Sequence, residues 1–488
     1  MNPKTLDFDD QTIQSLFGFE DAESEPIERL KEFFFKKDTY ERVTAELPVR
    51  ILVGHKGTGK SALFKIAMSE ESDKGNLPIL IKPDDIAEIG YEGSDFLLKI
   101  RQWKQGLLHI IGKKVYDEFN ICDDSLLNQI GRKGLHIISY LTESLSTLDA
   151  IDLSATQQKL KDNFLQRKRI VVYLDDLDRG WQGKREDINR ISALLNAIRD
   201  LSNDNKGLLF KVSLRSDVYY LVRTSDESTD KIEGSVVWYK WTNHEILVLL
   251  IKRILTFYGE RADEKILMKT PQHHLSHHLD NVFEKRFAGL GKWADVATYK
   301  VLMSLIRKRP RDLVKLCTLA AQQARLDNSH IIKTQHLQNI FEEYSQGRVQ
   351  DTINEYKSEL PNIEKLIWGM KPSQKEKRAS DSYILTTQQL IQKIFNILQQ
   401  NKFHFANGHE ASAKELAQFL YKINFITARK ESADHSYIQR KYFEENRYLS
   451  SSFVDFGYDW EIHPAFRWAL QPDDINSIFT KLQLSADE

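Results

Sequence analysis

Apolar residues follow two regimes along the chain. Up to about residue 241 they gather in short, nearly continuous runs, at Val49-Arg50-Ile51-Leu52-Val53, Ile79-Leu80-Ile81, 169–174, 208–214 and 236–241. Runs this short, rich in β-branched residues and separated by helical stretches, predict strands of a mostly parallel sheet. Both its faces would be covered, because the crossover helices of parallel strands lie on them. Beyond Trp241 the spacing changes to threes and fours, through Ile246, Leu249, Leu250 and Ile254, and stays helical to about residue 345. The first 35 residues are acidic and carry one such pattern, at Ile27, Leu30, Phe33 and Phe34.

These regimes divide the chain. An acidic helical arm is expected over 1–45, an α/β core over 46–260 with a helical insertion at 86–166, and a helical unit over 261–346. A polar stretch with Pro361, Pro372 and the basic residues Lys371, Lys375, Lys377 and Arg378 reads as a linker over 347–381, with one helix near Ile363–Trp368. Over 382–488 two helical patterns, 390–398 and 413–425, precede a Tyr/Phe-rich strand-like segment up to Ile462. Helix, helix, then strands predicts a winged-helix-like α+β domain.

The chain has 488 residues, a length prior of roughly three domains, and its 41% hydrophobic content excludes a disordered chain. Basic and acidic side chains number 69 and 70, so no overall positive field draws the molecule to nucleic acid. The 382–488 segment is likewise not basic. Cys122 and Cys317 lie far apart, which excludes a disulfide framework or a cysteine zinc module and fits a reducing compartment. Asp7, Asp9 and Asp10 stand where a signal peptide would be basic and then apolar, and the apolar run 246–255 is interrupted by Lys252 and Arg253. The expectation is a cytoplasmic protein with no membrane partner.

The first strand runs into Gly54-His55-Lys56-Gly57-Thr58-Gly59-Lys60-Ser61, which fits G-x-x-x-x-G-K-[ST] at every fixed position. Glycines let backbone wrap closely round a phosphate, and successive N–H groups at a helix N-terminus present the positive end of a dipole. The backbone of Gly54, His55, Lys56, Gly57, Thr58, Gly59, Lys60, Ser61 and Ala62 would form the cradle. Lys60 would neutralise the β- and γ-phosphates, and the Ser61 hydroxyl would ligate Mg²⁺. A plain Gly-rich turn is the alternative, and the strand and helix on either side argue against it.

The third run, Ile170-Val171-Val172-Tyr173-Leu174, delivers Asp175-Asp176-Leu177-Asp178-Arg179 to the carboxyl edge of the sheet, where such sheets bind ligands. Asp175 is placed to hold Mg²⁺, and Asp176 to polarise an attacking water as general base. A solvated acidic turn is the alternative. Asp178 and Arg179 are explained equally well by a local ion pair or a helix cap.

The loop and the acidic string resemble the Walker A and Walker B motifs of P-loop ATPases, with KAP and STAND classes as the nearest look-alikes and kinship to AAA+ and origin-recognition ATPases. Phe17-Gly18-Phe19-Glu20-Asp21-Ala22-Glu23 is similar to a segment of little-characterised bacterial P-loop ATPases. The resemblance covers about residues 15–345. The chain departs from typical KAP proteins in lacking membrane-spanning insertions, and it has no ABC signature. ATP rather than GTP is what the resemblance implies.

It also implies two sensors. Val212-Ser213-Leu214-Arg215 is similar to the sensor-strand ending of STAND ATPases, so Arg215 would bridge γ-phosphate oxygens; an ion pair with Asp217 or Asp176 is the alternative. Arg309-Pro310-Arg311-Asp312 resembles the second sensor of AAA+ proteins, with Arg311 chosen over Arg309 and a solvated basic helix start as the alternative. The helical unit would then be a lid.

Two His pairs, His273/His277 and His274/His278, could hold zinc, but a polar helix surface is favoured because no Glu sits inside either pair. Trp241 reads as a packing anchor. The function expected is a Mg²⁺-dependent ATP switch that regulates self-association or a protein effector, of a kind found in bacterial defence operons. The rivals are an origin-recognition-like ATPase gripping DNA through the winged helix, and a nucleotide-binding scaffold with negligible hydrolysis.

Overall fold

The structure is a computed structural model that describes residues 6–90, 95–118, 169–225, 227–374, 376, 382–431, 438–447, 449, 457–471 and 478. Most of the expected insertion at 86–166, Cys122, and Lys375, Lys377 and Arg378 of the basic cluster lie outside the described residues. The chain forms two compact units. One comprises Met1–Phe35, Gly57–Gly59 and Lys240–Glu488, the other Lys36–Lys56 and Lys60–Tyr239.

The second of these is built on a five-stranded, all-parallel sheet of β1 (Val49–Val53), β2 (Leu77–Ile81), β3 (Ile170–Leu174), β4 (Leu208–Leu214) and β5 (Val236–Trp238). The order is β2-β3-β4-β1-β5, so the chain switches direction across the sheet on either side of β1. Every residue of β3 and β4 is buried, as the continuous apolar runs require. Alternate positions of the strands meet Trp103, Leu107 and Ile111 of the helix Phe96–Glu118 and Leu194 and Ile198 of the helix Arg185–Asp204. On the opposite face Tyr173 packs edge-on to Phe64 of the helix Lys60–Asp73 at 5.1 Å between ring centroids. These are the parallel α/β sheet and helical cover of a P-loop NTPase fold.

The other unit is mostly helical. The helix Asn243–Phe257 is opened by a reciprocal cap between Thr242 and Glu245 and buries Ile246, Leu247, Leu250 and Ile254. The expectation of an all-helical stretch to residue 345 needs correction. Arg286–Ala288 and Ala294–Ala297 pair as a two-stranded antiparallel ribbon, in which buried Phe287 packs edge-on against Trp293. Strands of three and four residues are too short to show a period of two.

The expected linker at 347–381 is corrected as well. The helix Thr334–Tyr356 runs straight through Gly347, whose added Cβ would meet nothing within 4 Å, and it buries Arg348, Val349, Thr352 and Ile353. The helix expected near Ile363–Trp368 is present as Ile363–Gly369; it buries Ile363, Leu366 and Ile367, and Met370 after it is buried too. Glycine in an exposed helix face costs only about 1 kcal/mol against alanine, so packing on the other face carries the helix past it.

The C-terminal region holds the helices Thr387–Gln400 and Ala413–Lys422, each with a capping box. They accompany a four-stranded sheet of Ile384–Leu385, Ile426–Glu431, Ile438–Lys441 and Asp459–Ile462, antiparallel at every pairing. Among the described residues no helix is long and apolar enough to cross a membrane.

Candidate functional site

The Gly-rich loop leaves β1 at the carboxyl edge of the sheet. The Gly54 N–H donates to the Leu214 carbonyl at 3.2 Å, extending the ladder by one bond before the turn. Gly57 and Gly59 have φ of +80° and +92°, the left-handed region that side chains rarely adopt, so the motif's glycine positions are set by backbone sterics. The Lys60 ammonium folds back over the loop, donating to the carbonyls of Gly54 at 2.9 Å and His55 at 3.1 Å. Lys60 and Ser61 open the helix Lys60–Asp73, so Ala62 also lies in its first turn, where N–H groups lack helical acceptors.

His55 is buried, and its Nδ1 lies 3.0 Å from Ser216 Oγ. In the helical unit, the Thr58 carbonyl accepts from Trp241 Nε1 at 2.8 Å, and the Arg311 N–H donates to the Gly57 carbonyl at 3.3 Å. A Cβ on Gly57 would sit 3.1 Å from Arg311 Cβ. Trp241 is therefore the packing anchor expected, with its indole N–H fixing a loop carbonyl.

The acidic string leaves β3 at the same edge, where Asp175 N–H donates to the Ile81 carbonyl at 3.4 Å. Asp176 turns sharply, with φ of +58°, and its N–H donates to Asp175 Oδ1 at 2.9 Å. The Asp176 side chain is 54% exposed, with its carboxylate 3.5 Å from Arg179. Burial raises the Asp176 carboxyl above its ordinary value, and the like charges of Asp178 and Asp175 push the same way against Arg179 and Lys56. Burial likewise raises Asp178, outweighing the opposing pull of Arg215 and Lys60. Loop lysines and strand-end acids thus lie within electrostatic reach of each other.

Arg215, at the end of β4, is buried and already forked. It donates from Nε and Nη2 to the two oxygens of Asp217 at 3.0 and 2.6 Å, and from Nη1 to Asp178 at 3.3 Å. Arg215 thus makes the ion pair with Asp217 named as the alternative, with Asp178 rather than Asp176 as its other partner. Asp217 and Ser216 carry more of this edge than the motifs alone indicate; the signal in the sequence was the spacing Arg215-Ser216-Asp217.

Arg311 stands in the first turn of the helix Pro310–Leu326, with Nε donating to the Glu20 carbonyl at 3.1 Å. Arg309 instead is buried on Glu355 at 3.4 Å, and Arg307 is buried on Asp312. Of the arginines before and in this helix, Arg311 is the one that meets the loop. The Phe17–Glu23 segment lies here too, with Glu20 pairing Lys315 at 3.0 Å. Among the described residues, the four histidines at 273–278 included, no group of three His, Cys, Asp or Glu could hold a metal ion.

The site fits a nucleoside triphosphate with Mg²⁺. Two left-handed glycines open the loop, the Lys60 ammonium lies over its carbonyls, and Ser61 and Asp175 would supply oxygen donors of the kind a hard divalent ion takes. Fold and loop together are those of the P-loop NTPase fold.

Comparison with known proteins adds relatives. Residues 260–353 match the family model of the FunZ-associated C-terminal helical domain. A curated relative, the putative transposon gamma-delta 80.3 kDa protein of Escherichia coli K12, is 23% identical over 88% of this chain. The chain spans 64% of that relative's length. Among solved structures, a Walker-type ATPase of Pyrococcus abyssi is similar over 90% of this chain and 96% of its own, with 12% identity and a TM-score of 0.41. Cdc6p from Pyrobaculum aerophilum is similar over 89% and 87%, with 12% identity and a TM-score of 0.29.

Proposed function

We propose that the protein binds ATP with Mg²⁺, hydrolyses it, and works as a nucleotide-driven switch on its own assembly or on a protein partner. The observation that carries this reading is the joint placement of Lys60 and the strand-end acids at one sheet edge, with Asp176 held in a left-handed turn and its side chain exposed. In this reading Lys60 and the loop N–H groups hold the phosphates, while Ser61 and Asp175 hold Mg²⁺, which supplies charge neutralisation on the β- and γ-oxygens. Asp176 accepts the proton of the attacking water. Arg215 keeps Asp178 and Asp217 in register, a positioning role in place of direct contact with phosphate. Arg311 carries the state of the loop to the helix Pro310–Leu326.

A role in bacterial defence is part of this proposal and rests on the resemblance alone. A second reading, action on DNA, is favoured by the likeness to a putative transposon protein. A winged-helix identity for the C-terminal helices and sheet belongs to that reading. The test is ATP turnover with purified protein, alone and with duplex DNA at several salt concentrations. Mg²⁺-dependent phosphate release without DNA supports the switch. DNA binding with a steep log–log salt slope, and turnover that requires the DNA, replaces it with the second reading.

A further inference from the structure

The turn that precedes the helix Pro310–Leu326 has an unusual distribution of partners. Arg307 is buried on Asp312 through Nε at 2.8 Å and Nη2 at 3.0 Å, donates to Thr352 at 3.0 Å, and lies 5.4 Å from the Phe466 ring centroid. Asp312 is shared, because Arg348 also donates to it at 2.7 Å. Arg309 is buried on Glu355. Between them Lys308 takes φ of +51° and sends its ammonium to the C-terminal region, to Glu445 Oε1 at 2.9 Å and over the Tyr442 ring at 5.2 Å. Glu445 is itself fixed, since its other oxygen accepts the Tyr442 N–H at 2.9 Å. Tyr442 Oη meets the buried His463 ring at 2.9 Å. Three residues after Lys308, Arg311 reaches Gly57 and Glu20.

We infer that Lys308 is a positioning residue for Arg311: its ion pair with Glu445 fixes the turn 307–310 to the C-terminal sheet region, and so sets where Arg311 stands against Gly57. The inference rests on the reading of Arg311 as nucleotide sensor. The physical argument is one of redundancy. Arg307 and Arg309 already hold the turn to its own helices through buried pairs, so Lys308 is not needed for that. A lysine held left-handed, where bulky residues are rarely found, is a cost that a solvated turn would avoid with Gly or Asn. The Lys308 side chain is only 11% exposed and that of Glu445 26%, so the pair is better shielded than a surface bridge. Anything that occupies or moves the Tyr442–Glu445 corner would therefore be transmitted to Arg311 through four residues of backbone.

The experiment compares steady-state ATP turnover of the full chain in wild type, Arg311→Ala, Lys308→Asn, Lys308→Arg, Glu445→Gln and the exchanged pair Lys308→Glu/Glu445→Lys. Asn tolerates the left-handed turn and is too short to reach Glu445. The expected result is that Lys308→Asn and Glu445→Gln each lower kcat by about fivefold or more, the lower end of ordinary coupling effects, with KM within about twofold. Lys308→Arg stays near wild type, the exchanged pair recovers most of the loss, and the urea midpoints of all variants stay close together. Wild-type kcat in Lys308→Asn and Glu445→Gln, with Arg311→Ala impaired, overturns the inference and leaves the sensor reading standing. Wild-type behaviour of Arg311→Ala overturns both. If Lys308→Asn lowers kcat only in step with a lower urea midpoint, and the exchanged pair recovers nothing, Lys308 is structural and the inference fails.

Discussion

In the proposed mechanism, Asp176 and Lys60 are where single atoms decide the chemistry. The left-handed backbone at Asp176 tolerates Asn almost as well as Asp, so Asp176→Asn changes the acid and little else. That variant is expected to bind ATP within a few-fold of wild type and to lose hydrolysis by about 10²-fold or more, read by a fluorescent ATP analogue and by phosphate release. Full turnover in it would place the base at another residue. The pH profile follows from the same carboxyl. Because burial and its acidic neighbours raise it above 3.8, it reprotonates at a higher pH than a free aspartate, and the acid limb of the turnover profile should lie above that value. Lys60→Ala removes the ammonium that lies over the loop carbonyls of Gly54 and His55. Its helix and core contacts remain, so the urea midpoint should stay near wild type while Mg-ATP no longer raises it, as binding to the folded state alone would.

At the scale of elements, β4 shows what hydrophobic pattern can and cannot reveal. Leu208–Leu214 is fully buried and reads as a strand, yet it carries Lys211 in the middle, 2% exposed, with its ammonium on the Ala45 carbonyl at 2.6 Å. Burial first, and Arg50 opposite it in the ladder second, lower this lysine from 10.5 to about 8. Below about pH 8 both folded and unfolded chains are protonated and the cost of a buried charge is fully present. Between about 8 and 10.5 only the unfolded chain holds the proton, so stability rises with pH. Lys211→Met should therefore stabilise at neutral pH by roughly 1–3 kcal/mol, a gain that fades towards pH 10.5 in urea unfolding. An equal gain at both pH values would assign it to packing alone.

The five strands and the loop were legible because each is a local pattern: a run of apolar residues, or glycines and a lysine at fixed spacing. The short Phe287 ribbon, and the helix that passes through Gly347, were not legible, because packing partners far along the chain determine them. The same holds for the site. Spacing finds Lys60, Ser61 and Asp175, but that Arg215 is committed to Asp217 and Asp178, and Arg309 to Glu355, depends on tertiary neighbours.

At the scale of the whole molecule, the helical unit buries several ion pairs, and this ties its stability to pH. Burial would raise the Asp312 carboxyl, but the Arg307 and Arg348 guanidiniums outweigh it and hold it well below the usual range. Arg440 and Arg467 likewise outweigh burial at Glu461 and lower it to about 2. Both carboxylates contribute stability above their unfolded values, and Glu461 loses its share only as pH falls from 4.5 towards 2. His463 acts earlier. Its Nδ1 accepts the Ala465 N–H at 3.1 Å, which leaves Nε2 to carry the proton facing Tyr442 Oη. Burial, with Arg440 and Arg307 adding to it, holds this ring neutral far below pH 6.5. Below that pH the unfolded chain takes up a proton that the folded chain refuses, so stability should fall by up to about 1.4 kcal/mol per pH unit. His463→Asn keeps an acceptor for the Ala465 N–H at this N-cap and removes the titration. Its urea midpoint should be lower than wild type at pH 7, since Tyr442 loses its ring partner, but should drop less between pH 7 and about pH 5. If the two proteins lose stability equally over that interval, His463 is not the group that makes the helical unit acid-sensitive.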